Sequence, residues 1–195
     1  MPLSAHGFPG AALTHQPRHA KIIPPVAGID AMLKRIHIHN YKTFVNFDWS
    51  PPPVCALVGE NGAGKTTFIE ILWAVRQLVV EGKRIDETAL PEARTAWLTE
   101  AEQIVELEID HDGHHFLYRL ECLQGKRDPE VREHLAVGNV DLYRSSDGKV
   151  ELFGDDPTSA PRATIPFERR RSFIAVLESR HDNRRIVSFR TAIGV

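Results

Sequence analysis

Residues 59–66 read Gly-Glu-Asn-Gly-Ala-Gly-Lys-Thr, which meets the spacing G-x-x-x-x-G-K-[ST] at every fixed position. Each residue type has a task in that order. Gly59, Gly62 and Gly64 permit left-handed backbone and close approach to a ligand. The N–H groups freed by such a turn, with the start of a helix behind it, converge on an anion. Lys65 is a cation placed to reach β- and γ-phosphates, and the Thr66 hydroxyl is placed to ligate Mg²⁺. The pattern therefore predicts a nucleoside triphosphate site.

That chemistry requires a strand in front of the loop and a helix behind it. Val54-Cys55-Ala56-Leu57-Val58 is a continuous apolar run, which suits a strand buried on both faces of a parallel sheet. Phe68, Ile71, Leu72, Val75, Leu78 and Val79 recur at helical spacing and predict a helix over 65–80, with Gly82 as its stop. Upstream, Ile36 and Ile38 alternate with polar residues in a strand over 33–40. A tight connection at 41–43 leads to a second strand over 44–49, ended by Pro51, Pro52 and Pro53.

Downstream the pattern changes. Residues 83–100 are polar, with a short helix predicted over 90–99 from Pro91. Strands over 104–109 and 115–123 flank Asp110-His111-Asp112-Gly113, a hairpin signal. Strands over 137–143 and 149–153 flank Ser145-Ser146-Asp147-Gly148, a second one. Residues 154–166 read as a loop. Residues 170–179 look helical, with Phe173, Ile174 and Leu177 on one face, and 186–193 begin another helix.

Composition sets outer limits. The chain has 195 residues, 42% hydrophobic and 26% charged, as a globular domain does, and its formal net charge of −2 argues against a general polycation. No apolar run approaches the roughly 18 residues a membrane helix needs, so no membrane partner is expected. Cys55 and Cys122 read as buried core thiols in a reducing compartment, which implies a cytoplasmic location. Residues 1–31 are rich in Pro, Gly, Ala and His without a period and read as a disordered leader, with Met32 as the expected natural start.

Two stretches carry a family likeness. Ile36-His37-Ile38-His39-Asn40-Tyr41-Lys42-Thr43-Phe44, followed by Leu57-Val58-Gly59-Glu60-Asn61-Gly62-Ala63-Gly64-Lys65-Thr66-Thr67, resembles the N-terminal head of SMC/RecF-type ATPases, a branch near the ABC ATPases. Arg171-Ser172-Phe173 onward to Asp182-Asn183 resembles a segment of stand-alone AAA-labelled ATPases, including OLD-type and phage-defence heads. The resemblance implies an α/β fold: a P-loop NTPase lobe with a mixed sheet and an inserted antiparallel β subdomain, over residues 32–195. It implies ATP and Mg²⁺ as cofactors. It implies that Gly59, Asn61, Gly62, Ala63, Gly64, Lys65, Thr66 and Thr67 hold the nucleotide, with Thr66 on the metal. Lys42 would lie near the nucleotide; the alternative is a solvated turn lysine.

Two parts of that family's machinery do not appear in the sequence. Its members hydrolyse ATP with an apolar strand ending in Asp-Glu and carry a signature loop that completes a partner's site. The acidic stretch Val105-Glu106-Leu107-Glu108-Ile109-Asp110 has the wrong flanks for the former. Gln103 and Gln124 lie away from the place of the Mg²⁺-sensing glutamine. The sequence thus reads as an N-terminal lobe whose catalysis needs a C-terminal lobe or a second protomer, or else as a nucleotide-binding or interaction module without turnover. An ATP-binding transporter subunit is a further alternative. Seven arginines within 168–190 (169, 170, 171, 180, 184, 185 and 190) against three acids offer DNA contact, or a solvated or salt-bridged face. His111, His114 and His115 around a turn suit water better than a metal.

Overall fold

The computed structural model describes residues 31–125, 128–155, 160–180 and 182–194; the segment read as a leader lies almost wholly outside them. The described residues open with strand β1 (Ala31–His39) and the short β2 (Phe47–Trp49). Helix α1 (Lys65–Val79) follows. Six strands come next: β3 (Glu102–His111), β4 (His114–Gln124), β5 (Pro129–Val137), β6 (Val140–Ser146), β7 (Lys149–Leu152) and β8 (Ala163–Pro166). A single turn α2 (Phe173–Val176) and α3 (Arg184–Gly194) end it.

The eight strands among the described residues form one sheet in the order β2-β1-β3-β4-β5-β6-β7-β8, and every neighbouring pair is antiparallel. This corrects the fold expectation. The chain is not an α/β P-loop lobe with a mixed sheet; it is mainly an antiparallel sheet with few helices. The meander is not an inserted subdomain either, because β3 pairs directly with β1, in a register that sets Ile36 opposite Leu107 and Ile38 opposite Val105. The expected parallel strand over 54–58 does not form. Those residues lie outside the sheet and are exposed, Val58 by 90%. Cys55 is accordingly exposed rather than buried, whereas Cys122 is in the core.

The physical reason is the supply of partners. An antiparallel strand finds its mate across a short turn, and Asp112-Gly113 and Asp147-Gly148 provide two such turns with both residues at positive φ. A parallel strand needs a mate delivered by a long crossover, and none reaches 54–58 among the described residues. Three prolines in front of the run also remove backbone donors.

Alternation along the strands gives the sheet two unlike faces. One is apolar: Ile36, Ile38, Val105, Leu107, Phe116, Leu120 and Leu135 are all 2% exposed or less. The helices cover it. Phe189 of α3 lies 5.7 Å from Phe116 and 4.9 Å from Tyr118, and Phe68 of α1 meets Trp49 edge-on at 5.1 Å. The other face is charged. One transverse row crosses all eight strands as Asp48, His37, Glu106, Arg119, His134, Arg144, Glu151 and Thr164. Neighbours pair along it: His37 Nδ1 lies 2.8 Å from Asp48, Arg119 donates to Glu106, and Arg144 and His134 both meet Asp141.

Smaller expectations shift. Residues 90–99 hold only a 3₁₀ turn, Pro91–Ala93. Gly138 and Asn139 form a turn, so the strand predicted over 137–143 divides between β5 and β6. Part of the loop predicted over 154–166 is the edge strand β8. Only four residues of 170–179 are helical. No helix among the described residues is long and apolar enough to cross a membrane.

Candidate functional site

The loop predicted to hold phosphates is an exposed bend between Pro53 and α1. Gly62 (φ 86°) and Gly64 (φ 88°) take the left-handed backbone that their sequence positions require. Gly64 serves as the N-cap of α1 and offers no side-chain acceptor, and the first turn contains no acidic residue. The first helical bond is Phe68 N–H to Gly64 O, at 2.9 Å. The N–H groups ahead of it are therefore directed out of the helix start, where the helix dipole also favours an anion.

Lys65 folds back across this bend. Its Nζ donates to Gly59 O and to Glu60 O, each at 2.7 Å. Ala63 N–H closes the turn on Glu60 O at 3.2 Å. Asn61, Gly62 and Ala63 stand at the exposed tip, and Thr66 and Thr67 occupy the first turn of α1 with Thr66 exposed. The predicted residues thus assemble around one bend without the parallel strand expected to carry it.

The connection between β1 and β2 lies directly behind that bend. A Cβ on Gly64 would come within 3.2 Å of the Phe44 ring and 3.9 Å of Thr43 Oγ1, so position 64 needs glycine for space as well as for φ. Asn40, Lys42 and Asn46 also have positive φ, an uncommon density for residues other than glycine. Side-chain bonds from Asn40 hold this turn in place. Its Nδ2 donates to Glu102 O (2.7 Å) and Glu100 O (3.0 Å), and its Oδ1 accepts from Thr95 N–H (3.1 Å). Lys42 N–H donates to Ala93 O at 2.6 Å. Spacing alone does not mark Asn40 for this duty; its place two residues before Lys42 is the signal that the sequence offers.

The Lys42 ammonium is bonded to α1. Its Nζ donates to the Glu70 carboxylate, on the second turn of α1. Burial, with the Glu70 charge adding to it, pushes the neighbouring Tyr41 phenol up to about 12, so that hydroxyl stays protonated.

Other predicted constellations disperse. Arg169 pairs with Glu130, Arg170 with Asp128, and Arg171 with Glu168. Arg190 caps α2 through the carbonyls of Ile174, Ala175 and Leu177. These four arginines each take a partner within the described residues. Among the described residues no group of three or more His, Cys, Asp or Glu is arranged to hold a metal ion; His115 instead meets Asp110 at 2.6 Å. Gln103 is buried opposite Cys122, and Gln124 ends β4.

No family model matches the chain. Among curated proteins, the ribose import ATP-binding protein RbsA of Corynebacterium glutamicum is 35% identical over 88 residues, a stretch that covers 43% of this chain and 16% of that protein. These comparisons give the SMC/RecF branch no support. The likeness is distant and partial, and it relates this chain to ABC-type ATPases at most.

Proposed function

We propose that this chain binds ATP through residues 59–67, as a nucleotide-binding module related to the ABC-type ATPases. One observation carries the proposal. A complete G-x-x-x-x-G-K-T run ends in two left-handed glycines at a helix start that has neither a side-chain cap nor an acid in its first turn. Such a start offers several N–H donors to one anion.

Each residue's part follows from its chemistry. Gly62 and Gly64 let the main chain bend so that the amides of Gly64, Lys65 and Thr66 face the phosphates. Lys65 exchanges two neutral carbonyls for anionic oxygens, which are stronger acceptors. Thr66 presents an exposed hydroxyl, a hard oxygen donor of the kind Mg²⁺ accepts, and would share the ion with phosphate oxygens. Bound there, Mg²⁺ would neutralise phosphate charge. These residues supply binding and charge neutralisation. Activation of water requires an apolar strand ending in Asp-Glu, which this sequence does not contain, and we assign that task to a further lobe or a second protomer.

Titration calorimetry of the chain with Mg-ATP tests the reading. Lys65→Ala should lower affinity by about 100-fold or more, since it removes a charge-assisted contact to the phosphates. Equal affinity in wild type and variant would overturn it.

A further inference from the structure

We propose that Glu70 is a placeholder for the nucleotide: it holds Lys42 in reserve beside the phosphate loop, and an incoming triphosphate takes that lysine over. The inference rests on the nucleotide reading above and adds a control element to it. Its starting point is an ion pair between two segments far apart in sequence, Lys42 in the β1–β2 turn and Glu70 on α1. Thr66 and Glu70 are four residues apart on one helix, so Glu70 lies one turn below Thr66 on the same face. The turn that bears Lys42 abuts Gly64 through Phe44 and Thr43. Lys42 is therefore stationed next to the loop, with its charge committed elsewhere.

The backbone under Lys42 is fixed. Its N–H is bonded to Ala93, Tyr41 and Phe44 bond each other at 3.1 and 2.8 Å, and Asn40 ties the turn to residues 95–102. An exchange of partners is thus a side-chain rotation, which needs no movement of the fold. The pair suits such an exchange. Its side chains are 40% and 39% exposed, and water screens a surface pair of that kind. A triphosphate carries several negative charges against the single charge of a carboxylate. Lys65 behaves in parallel, with its ammonium held by Gly59 O and Glu60 O. Both cations at the helix start are therefore occupied by local acceptors in the free protein. Glu70 also opposes an arriving anion by its own charge.

The test is Mg-ATP affinity of the full chain at low salt for wild type, Glu70→Gln, Lys42→Ala and the double variant, with Lys65→Ala as control. Glu70→Gln should bind about two- to fivefold more tightly, the scale of an exposed ion pair. Lys42→Ala should bind more weakly than wild type. In the Lys42→Ala background the gain from Glu70→Gln should be smaller, and in about 0.5 M salt it should shrink in wild type too. Unchanged or weaker binding by Glu70→Gln overturns the proposal, weaker binding meaning that Glu70 positions Lys42 for the ligand. An equal gain in both backgrounds also overturns it, by reducing Glu70 to simple repulsion. Glu70→Ala should repeat the sign, and thermal unfolding checks that each variant is folded. If wild-type binding does not depend on Lys65, the nucleotide reading falls and this inference falls with it. If Lys65-dependent binding stands and the Glu70 variants bind as wild type, only the placeholder falls.

Discussion

Residues 103–109 and residues 54–58 are both apolar-rich stretches, yet the first lies at the heart of the sheet and the second is exposed coil. Their difference is the availability of a partner. The first stretch has β4 across a two-residue turn and β1 on its other side, so its backbone groups are paired on both edges. The second has prolines before it, a glycine bend after it, and no strand beside it among the described residues. An apolar run states an appetite for burial; the geometry of its neighbours decides whether that appetite is met.

Substitution can break this contrast. Phe116→Ala removes a ring that is 0% exposed and packed on Phe189 and His114. It should cost about 3–5 kcal/mol in denaturant unfolding. Val58→Ser changes a side chain that is 90% exposed and should cost about 0.5 kcal/mol or less. Comparable losses at the two sites would show that 54–58 is buried in solution and would erase the distinction.

A second prediction concerns Gly64. Alanine there must accept a φ of 88° and meet the Phe44 ring, whereas Gly62 has open space around a Cβ and bears only the strain of φ 86°. Gly64→Ala should therefore cost more than Gly62→Ala, with the latter near 1 kcal/mol in thermal or chemical unfolding. The reverse order would contradict the packing of the β1–β2 turn on the loop.

A smaller effect sharpens the description of the sheet core. Glu133 points to the apolar face and accepts hydrogen bonds from Tyr118 (2.7 Å), Tyr143 (2.8 Å) and Ser172 (2.8 Å). Burial raises its carboxyl above the ordinary range, and the three hydroxyls offset only part of that. A raised carboxyl favours the protonated fold. Its contribution is complete below the unfolded value, near 4.5, and is lost as pH rises through the folded value. Glu133→Gln removes this slope. The melting temperature of the variant relative to wild type should rise from about pH 4 to about pH 8. A flat or falling difference would mean that the hydroxyls outweigh burial.

Glu133 also explains what the sequence hides. In β5 the inward positions are Val131, Glu133 and Leu135, so a carboxylate interrupts the alternation that marks a strand. The tyrosines of β4 and β6 and the Ser172 hydroxyl make it acceptable there, and all three lie ten or more residues away in sequence. The short edge strand β8 is masked similarly by its exposure and its terminal proline. By contrast, β1, β3, β4 and α1 are legible because periodicity and glycine turns are local signals. The site divides in the same way. The loop residues follow from their spacing, while the Asn40 clamp depends on the segment 95–102, 55 to 62 residues away, and the Lys42–Glu70 pair on a helix 28 residues away.

Hydrogen–deuterium exchange of the chain with and without saturating Mg-ATP tests the central claim most directly, because it reads the amides themselves. Protection should appear across residues 59–68 and be lost in Lys65→Ala, while the strands from β3 to β7 stay unchanged. An unaltered loop, or protection confined to the sheet, would contradict the account.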